Sequence, residues 1–598
     1  MNKPKLTLKE RLAQIAANKA NRTKEANPVQ EAVTNLPPSA KLTLKERLAA
    51  IASPQPPTLP TPPPIPSKLT LNDSQMQAVR LAYEGKSFVL TGAAGTGKTL
   101  TVTTIAKLFS GEGYPLDDTG ELTRVALPEV EFRNPLGGVN DQTVKPAIAF
   151  VAYTNRAVNN MYGNLCKNTP ELQSTLGGNF LTIHKLLEVA PEYYYDETTG
   201  KDKMRFTPRR DEFNKLPLKL LIIEEASMVD INLWKTLRKA LLDDCQIILL
   251  GDLNQLQPVF GDSILNYGRV QLQTVELTHV YRQALDSPII RQAHNLLKHG
   301  TMESDTDDFQ IVTGKSNAPV GAERLAKGVI NTIARLYDAG DYNPYSHIIL
   351  SPYNKGDAGT LTLNKLVANF LDTARYSNGD TNPVYEIISG FEKAYYAVGD
   401  SVYDATSKQQ GRITAITLNG AYYGSSPQPE STNLSRFGYM NGHDNLDLDE
   451  DLEFSYDSSA LDGILEQSAG EAEDRILAAS HSIHVTLDDN QELILSNAGE
   501  INALDLGYCL TCHKAQGCEW EKVFIIVHST HSLANREWLY TAITRAKQSA
   551  FIFTQAATIA KACKRQRIKG DTAEQKLENF IKSLKDKGAN HDVGLPKD

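Results

Sequence analysis

Eight consecutive residues, Gly92-Ala-Ala-Gly-Thr-Gly-Lys98-Thr99, carry the spacing G-x-x-x-x-G-K-[ST]. Glycines so placed let successive backbone N–H groups curl around an anion at a helix start, and the lysine adds the positive charge that polyphosphate requires. Gly92, Ala93, Ala94, Gly95, Thr96, Gly97, Lys98 and Thr99 are therefore the candidate ATP-binding residues, Lys98 on the β- and γ-phosphates and Thr99 on Mg2+. Such a loop works with a carboxylate at the end of a second strand, and Leu220-Leu-Ile-Ile-Glu224-Glu225 offers two. Glu224 suits the metal, directly or through water, and Glu225 suits orienting and deprotonating an attacking water. A further apolar run ends in Gly251-Asp-Leu-Asn-Gln255, which puts Gln255 in place to sense the γ-phosphate.

These groups need strands to carry them. SFVL precedes the glycine-rich loop and the helical TLTVTTIAKLF follows it. Short apolar, β-branched runs at 88–90, 147–152, 220–223, 247–250, 347–350, 523–527 and 551–553 alternate with helical stretches, the pattern of parallel sheets covered by helices. Residues 192–207 break that pattern: EYYYD and KMRFT flank the turn-like ETTGKD and predict a β-hairpin projecting from the first sheet. Its Tyr193, Tyr194, Tyr195 and Phe206 are candidates for stacking, on bases or on one another. From about 391 to 502 the chain reads as β-rich and irregular. Within it, 444–474 holds twelve acidic residues and no Lys or Arg, as a solvated loop would.

A length of 598 residues suits about four domains at about 150 residues each. No apolar run reaches the roughly 18 residues that cross a bilayer, which excludes an integral membrane protein built of helices. The start, MNKPKLTLKERLAQIAANKA, lacks the apolar core of a signal peptide, and six cysteines are too few for a disulfide framework. A reducing, cytoplasmic setting is expected. The 62 basic and 71 acidic residues give a net charge of −9, yet outside 444–474 the balance is 62 against 59. A polyanionic partner therefore stays open, because a local basic groove matters more than the total.

Residues 53–67, SPQPPTLPTPPPIPS, form a proline-rich extended spacer and mark a boundary. Upstream, 5–16 and 41–52 are duplicates, KLTLKERLAQIA and KLTLKERLAAIA, that differ only at Gln14/Ala50. Each has a capping-box pattern (Thr7 with Glu10, Thr43 with Glu46) and an apolar stripe, Leu8, Leu12, Ile15 and Leu44, Leu48, Ile51. Helices this short are marginal alone. The expectation is a disordered arm whose helices dock on a partner such as an ssDNA-binding protein or another replisome component, or fold back on the chain's own domains.

By their order, the motifs resemble a superfamily-1 helicase, most closely the Dda-like and RecD-like branch of superfamily 1B, over about 68–547. Leu71-Asn-Asp-Ser-Gln75 looks like the adenine-reading Q motif, Ala152-Tyr-Thr154-Asn155 like motif Ia, and Thr182-Ile-His184 like motif Ib. Leu277-Thr-His-Val-Tyr-Arg282 looks like motif IV, Leu510-Thr511-Cys-His513-Lys-Ala-Gln516-Gly517 like motif V, and Leu539-Tyr540-Thr-Ala-Ile-Thr544-Arg545 like motif VI. The resemblance implies two RecA-like domains closing on one ATP, with Arg282 and Arg545 reaching the γ-phosphate and Gly517 counted among the nucleotide contacts. It implies single-stranded DNA across both domains, near Thr154, Asn155 and His184 in the first and Thr511 and His513 in the second, with Tyr194 and Phe206 on a strand-separating pin. The implied division is an arm at 1–67, a first RecA-like domain at 68–275, a second at 276–390 and 503–560, a β-rich insertion at 391–502, and a tail at 561–598. Glu224 departs from the family's usual Asp, and Asn155 from its usual His. Residues 111–146 read as an insertion of unassigned function. Cys509-Leu-Thr-Cys512-His513 matches a haem-attachment pattern, with Cys518 inviting zinc, but it coincides with motif V and lacks a second ligand pair.

The expectation is an ATP- and Mg2+-dependent DNA helicase that translocates 5′→3′ on single strands and acts at duplex junctions in replication, recombination or repair. Polarity and a phage source rest on the resemblance. The alternatives are a replisome adaptor that uses ATP as a switch without unwinding, and a helicase directed to RNA.

Overall fold

The computed structural model describes residues 71–110, 114–115, 121–122, 129–133, 142–166, 172–173, 176–196, 201–258, 261–313, 321–379, 382–389, 392–419, 478–570, 572–588 and 592–596. The duplicated N-terminal segments, the proline spacer and the acidic stretch 444–474 lie outside the described residues.

Helix α1 (Asp73–Tyr83) starts at a capping box in which Asn72 and Gln75 satisfy each other's backbone N–H groups. It leads into β1 (Phe88–Gly92) and α2 (Lys98–Ser110). Two short antiparallel strand pairs occupy the stretch between α2 and the next sheet strand, Tyr114–Pro115 with Glu121–Leu122 and Glu129–Arg133 with Gln142–Pro146. There follow β2 (Ile148–Ala152), α3 (Asn155–Cys166), β3 (Phe180–Thr182), α4 (Ile183–Leu186), β4 (Ala190–Asp196), β5 (Lys201–Thr207), β6 (Leu220–Ile223), α5 (Ile231–Ala240), β7 (Gln246–Gly251), α6 (Ile264–Gln271) and β8 (Gln273–Leu277). Six of these strands form one parallel sheet in the order β8-β1-β7-β6-β2-β3. FVLTG in β1, LLII in β6 and QIILLG in β7 are buried along their whole length, because helices cover both faces. One face packs Val89, Ile223, Trp234 and Leu249, the other Phe88, Ile105, Phe150 and Leu250. Among the described residues, strands β4 and β5 pair only with each other, antiparallel, with Tyr194 opposite Lys203 and Pro191 opposite Phe206.

A second parallel sheet is built from β9 (Phe309–Thr313), β10 (His347–Ser351), β18 (Cys509–Thr511), β19 (Trp520–Ile526) and β20 (Ala546–Thr554), in the order β9-β20-β19-β10-β18. Helices α7 (Arg282–Leu285), α8 (Pro288–His299), α9 (Ala322–Asp338), α10 (Thr360–Ser377), α11 (Arg536–Ile543) and α12 (Ala556–Lys564) accompany it. Ile348, Leu350, Trp520 and Ile552 pack on one face, Ile349, Phe524, Phe553 and Val329 on the other. Between β10 and β18 the chain forms an antiparallel seven-stranded sheet: β11 (Val384–Ser389), β12 (Glu392–Ala397), β13 (Ser401–Asp404), β14 (Gln409–Leu418), β15 (Ala478–Leu487), β16 (Glu492–Asn497) and β17 (Leu504–Leu506). This sheet begins earlier than the sequence suggests, because β11 pairs with β12 rather than with any parallel strand.

The last segment is not a free tail. Helix α13 (Ala573–Asp586) returns to the first sheet, where Phe580, Leu584, Val593 and Leu595 join the cluster around Trp234. Tyr267 meets Phe580 edge-on at 5.4 Å, and Trp234 Nε1 donates to the Val593 carbonyl at 2.9 Å. Among the described residues, no helix is long and apolar enough to cross a membrane.

Candidate active site

Strands β1, β7 and β6 lie side by side and end at the carboxyl edge of the first sheet, where open α/β sheets present ligand sites. Leaving β1, the chain enters the glycine-rich loop with Gly95 at φ +80° and Gly97 at φ +86°. A Cβ on Gly97 would stand 2.5 Å from Gln75 Nε2 and 2.8 Å from the Tyr281 ring, so glycine is required both by conformation and by space. Gln75 is fully buried against this loop, donating Nε2 to the Gly97 carbonyl (3.3 Å) and accepting from the Tyr281 hydroxyl (2.7 Å). Lys98 Nζ donates to the carbonyls of Gly92 (2.6 Å) and Ala93 (3.1 Å), and the Thr96 hydroxyl donates to Ala93 (2.8 Å). Thr99 is exposed on the first turn of α2. Ala94 is held from the second parallel unit: its N–H donates to the Tyr540 hydroxyl oxygen (2.8 Å), and its carbonyl accepts from His294 Nε2 (3.1 Å).

Glu224 and Glu225 follow β6, Glu225 in the left-handed region at φ +51°. Burial, and then the neighbouring Glu225, push the Glu224 carboxyl up to about 7, against the pull of Lys98. Burial likewise raises Glu225, opposed by Arg545 and Lys98 and reinforced by Asp252 and Glu519. Adjacent half-buried carboxylates with too little positive charge nearby are a donor set that fits a divalent cation. The Thr99 hydroxyl and Glu224 would hold Mg2+ there, and its chemistry would be to neutralise phosphate charge.

Arg545 comes from the second parallel unit, 5% exposed, fixed by Nε to the Thr541 carbonyl and by one terminal nitrogen to the Cys518 carbonyl, both at 3.2 Å. Among the charges around Glu225, that of Arg545 favours its ionisation most, against the effect of burial. Arg282 opens α7; its side chain lies outside the described residues. The Gln255 backbone N–H donates to the Asp252 carbonyl (3.2 Å), and its Oε1 is buried with no hydrogen-bond donor among the described residues.

Of the expected DNA contacts, Thr154, Asn155 and His184 lie where the first sheet meets the antiparallel sheet and the 517 turn. Thr154 Oγ1 accepts the Ala157 N–H (3.2 Å) at the start of α3. Asn155 Nδ2 donates to the Ser407 carbonyl (3.1 Å) in the turn between β13 and β14. In that turn Lys408 sets its ammonium 4.1 Å from the Tyr153 ring centre, and His184 meets the same ring edge-on at 5.8 Å. Arg156 pairs with Asp488, in the turn between β15 and β16, and lies 5.3 Å over Trp520. Burial and Lys408 lower His184 to about 4, while burial and Arg567 lower His513 to about 4. Both imidazoles are therefore neutral at neutral pH and suit stacking or hydrogen bonding rather than charge pairing with phosphate. Thr511 Oγ1 accepts the Lys514 N–H (3.3 Å). The side chains of Tyr194 and Phe206 lie outside the described residues.

The Gly517 carbonyl accepts from Asn160 Nδ2 (2.6 Å), and a Cβ there would stand 3.1 Å from both Thr154 Oγ1 and Ala157 Cβ, so Gly517 packs on the start of α3. Tyr281, Tyr540 and Lys408 are the residues that sequence reasoning missed. The two tyrosines stand inside the quoted motifs beside Arg282 and within the run leading to Arg545, and that adjacency was the available signal.

Residues 75–261 match the AAA domain family model, and residues 506–553 match the UvrD-like helicase C-terminal domain. The chain is 23% identical over 508 residues to the ATP-dependent RecD2 DNA helicase of Deinococcus radiodurans, covering 84% of this chain and 52% of that protein. It is 24% identical over 518 residues to the RecBCD enzyme subunit RecD of Mycobacterium tuberculosis, covering 85% and 73%. The chain thus spans about half the length of the RecD2 helicase. The solved Pif1 helicase from Bacteroides in complex with ADP-AlF3 and ssDNA aligns at 16% identity and TM-score 0.40, over 87% of this chain and 99% of that one. The two family-model matches fall on the two parallel units, 75–261 on the first and 506–553 on the second.

Proposed function

We propose that this chain hydrolyses ATP to move along single-stranded DNA, 5′→3′, and separates duplex at junctions, as the helicase names of its relatives suggest. The observation that carries the reading is the Tyr540 hydroxyl, which comes from the second parallel unit on the run that leads to Arg545 and is held between the Ala94 N–H of the glycine-rich loop (2.8 Å) and Asp252 Oδ2 beyond β7 (2.6 Å). A carboxylate that accepts a proton from water and a cation that meets charge building on the γ-phosphate are what phosphoryl transfer to water requires. Because the two come from different sheets, the catalytic set is complete only when both units are together, which is how turnover becomes linked to their relative movement. Lys98 and the loop N–H groups bind the phosphates, and Gln75, packed on Gly97 and Tyr281, reports on the base. Thr99 and Glu224 would carry Mg2+. Thr154, Asn155, His184, Thr511, His513 and Gly517 line the path of the strand, and the hairpin β4–β5 acts as the wedge. The duplicated segments at 5–16 and 41–52 recruit a DNA-coating protein.

The test is ATP-driven unwinding of duplexes bearing 5′ or 3′ tails, of DNA or RNA, alongside steady-state ATPase with and without single strands. Unwinding confined to 5′ DNA tails is the expected result. Nucleotide binding without strand-stimulated turnover refutes the motor and leaves the ATP switch, and a preference for RNA tails refutes the substrate.

A further inference from the structure

A chain of hydrogen bonds runs from the last helix into the glycine-rich loop. Lys576 of α13, 9% exposed, donates Nζ to Asn254 Oδ1 (2.9 Å). Asn254 donates its backbone N–H (2.9 Å) and Nδ2 (3.2 Å) to Asp252 Oδ1. The other carboxylate oxygen, Asp252 Oδ2, accepts from the Tyr540 hydroxyl (2.6 Å), whose oxygen accepts the Ala94 N–H (2.8 Å). Asp252 and Tyr540 are essentially inaccessible to solvent. The loop that carries Asn254 is also seated at its other end. Leu256 lies in the hydrophobic cluster of the second sheet, its N–H donating to Thr541 Oγ1 (2.8 Å) and its carbonyl accepting from Gln516 Nε2 (3.0 Å).

Docking of α13 does not by itself need a lysine, because Phe580 and Leu584 on the same stripe already supply apolar contact. Burial opposes the Lys576 charge, and Glu537 and Asp252 retain it. A buried ammonium is costly unless it has a partner to hold, and the partner here is a loop joining the two parallel units. We propose that Lys576 is a positioning residue for ATP turnover: through Asn254 and Asp252 it fixes Tyr540 against Ala94, so the docked C-terminal helix sets the glycine-rich loop. This rests on the ATPase reading above.

The experiment compares Lys576→Met, Lys576→Arg, Tyr540→Phe and the Lys576→Met/Tyr540→Phe double variant in the full chain. For each, kcat and KM for ATP with saturating single strands, thermal stability, and amide hydrogen exchange of the 92–99 segment in nucleotide-free protein are measured. Lys576→Met should lower kcat about tenfold with KM within about twofold, Lys576→Arg should restore most of it, and the double variant should be no worse than the worse single one. Exchange at 92–99 should quicken in Lys576→Met while the rest of the first sheet keeps its protection. A fall in thermal stability with kcat and 92–99 exchange unchanged, or multiplying losses in the double variant, overturns the proposal. If the wild-type protein shows no stimulated turnover, the ATPase reading fails alone, and the exchange measurement still decides the hydrogen-bonded chain.

Discussion

Replacing Glu224 with Gln should make the nucleotide-free protein more stable, and increasingly so as pH rises. The folded state holds the Glu224 proton up to about pH 7, whereas an exposed glutamate releases it near pH 4.5. Between those values the folded state binds more protons than the unfolded chain, so its stability falls with rising pH; below them the carboxyl contributes nothing, and above them the full cost is present. The size follows from the separation: about 1 kcal/mol at pH 5, growing to about 3 kcal/mol at pH 8. Gln has the same shape and does not titrate, so the gap between variant and wild type should widen by that amount, on the order of 5–10 °C in Tm for a unit of this size. The assay is thermal unfolding in chelator at pH 5, 6, 7 and 8. Adding Mg2+ with a non-hydrolysable ATP analogue should then close or reverse the gap, because only the carboxylate gains a cation. A gap that stays flat with pH, or a wild type that is the more stable at pH 8 in chelator, would refute the view that a crowded carboxylate is kept here at a cost in stability for its ligand.

Lys98→Ala should abolish hydrolysis while single-strand binding without nucleotide persists; stimulated turnover in that variant would show that the motor site lies elsewhere. Glu225→Gln should keep nucleotide binding yet cut kcat about a hundredfold or more, since an amide accepts no proton from water. Glu224→Asp should be milder, and the opposite order in a steady-state ATPase series would exchange the two roles. Arg545→Ala should depress kcat about a hundredfold with KM for ATP within about tenfold, because the developing charge is what it meets; an unchanged kcat would separate the second unit from the chemistry.

The seven apolar runs all lie in parallel strands, because strands buried on both faces write an unbroken signal into the sequence. Strands at sheet borders escaped notice for the converse reason. β8 exposes Gln273 and Glu276 while burying Val275 and Leu277, and β18 has only three residues. Within one sheet the site was equally legible: Gly92 to Thr99, Glu224 and Gln255 are read by spacing from the strand that carries each. What could not be read is pairing between units. Nothing near Lys576 in KLENFIKSLKDKG distinguishes a buried lysine from a solvated one, because its partner Asn254 lies 322 residues away. Tyr540 is a buried tyrosine in an apolar helix until Asp252 and Ala94 are brought to it. The packing of Gly517 was hidden for the same reason, its neighbours being Thr154 and Ala157 in the other parallel unit. Local periodicity shapes each sheet and loads it with the groups it needs. The contacts between sheets are single polar atoms meeting across hundreds of residues, with no period to announce them. Lys576 and Tyr540 test that separation directly, since both lie on a path of hydrogen bonds that runs from α13 to Ala94.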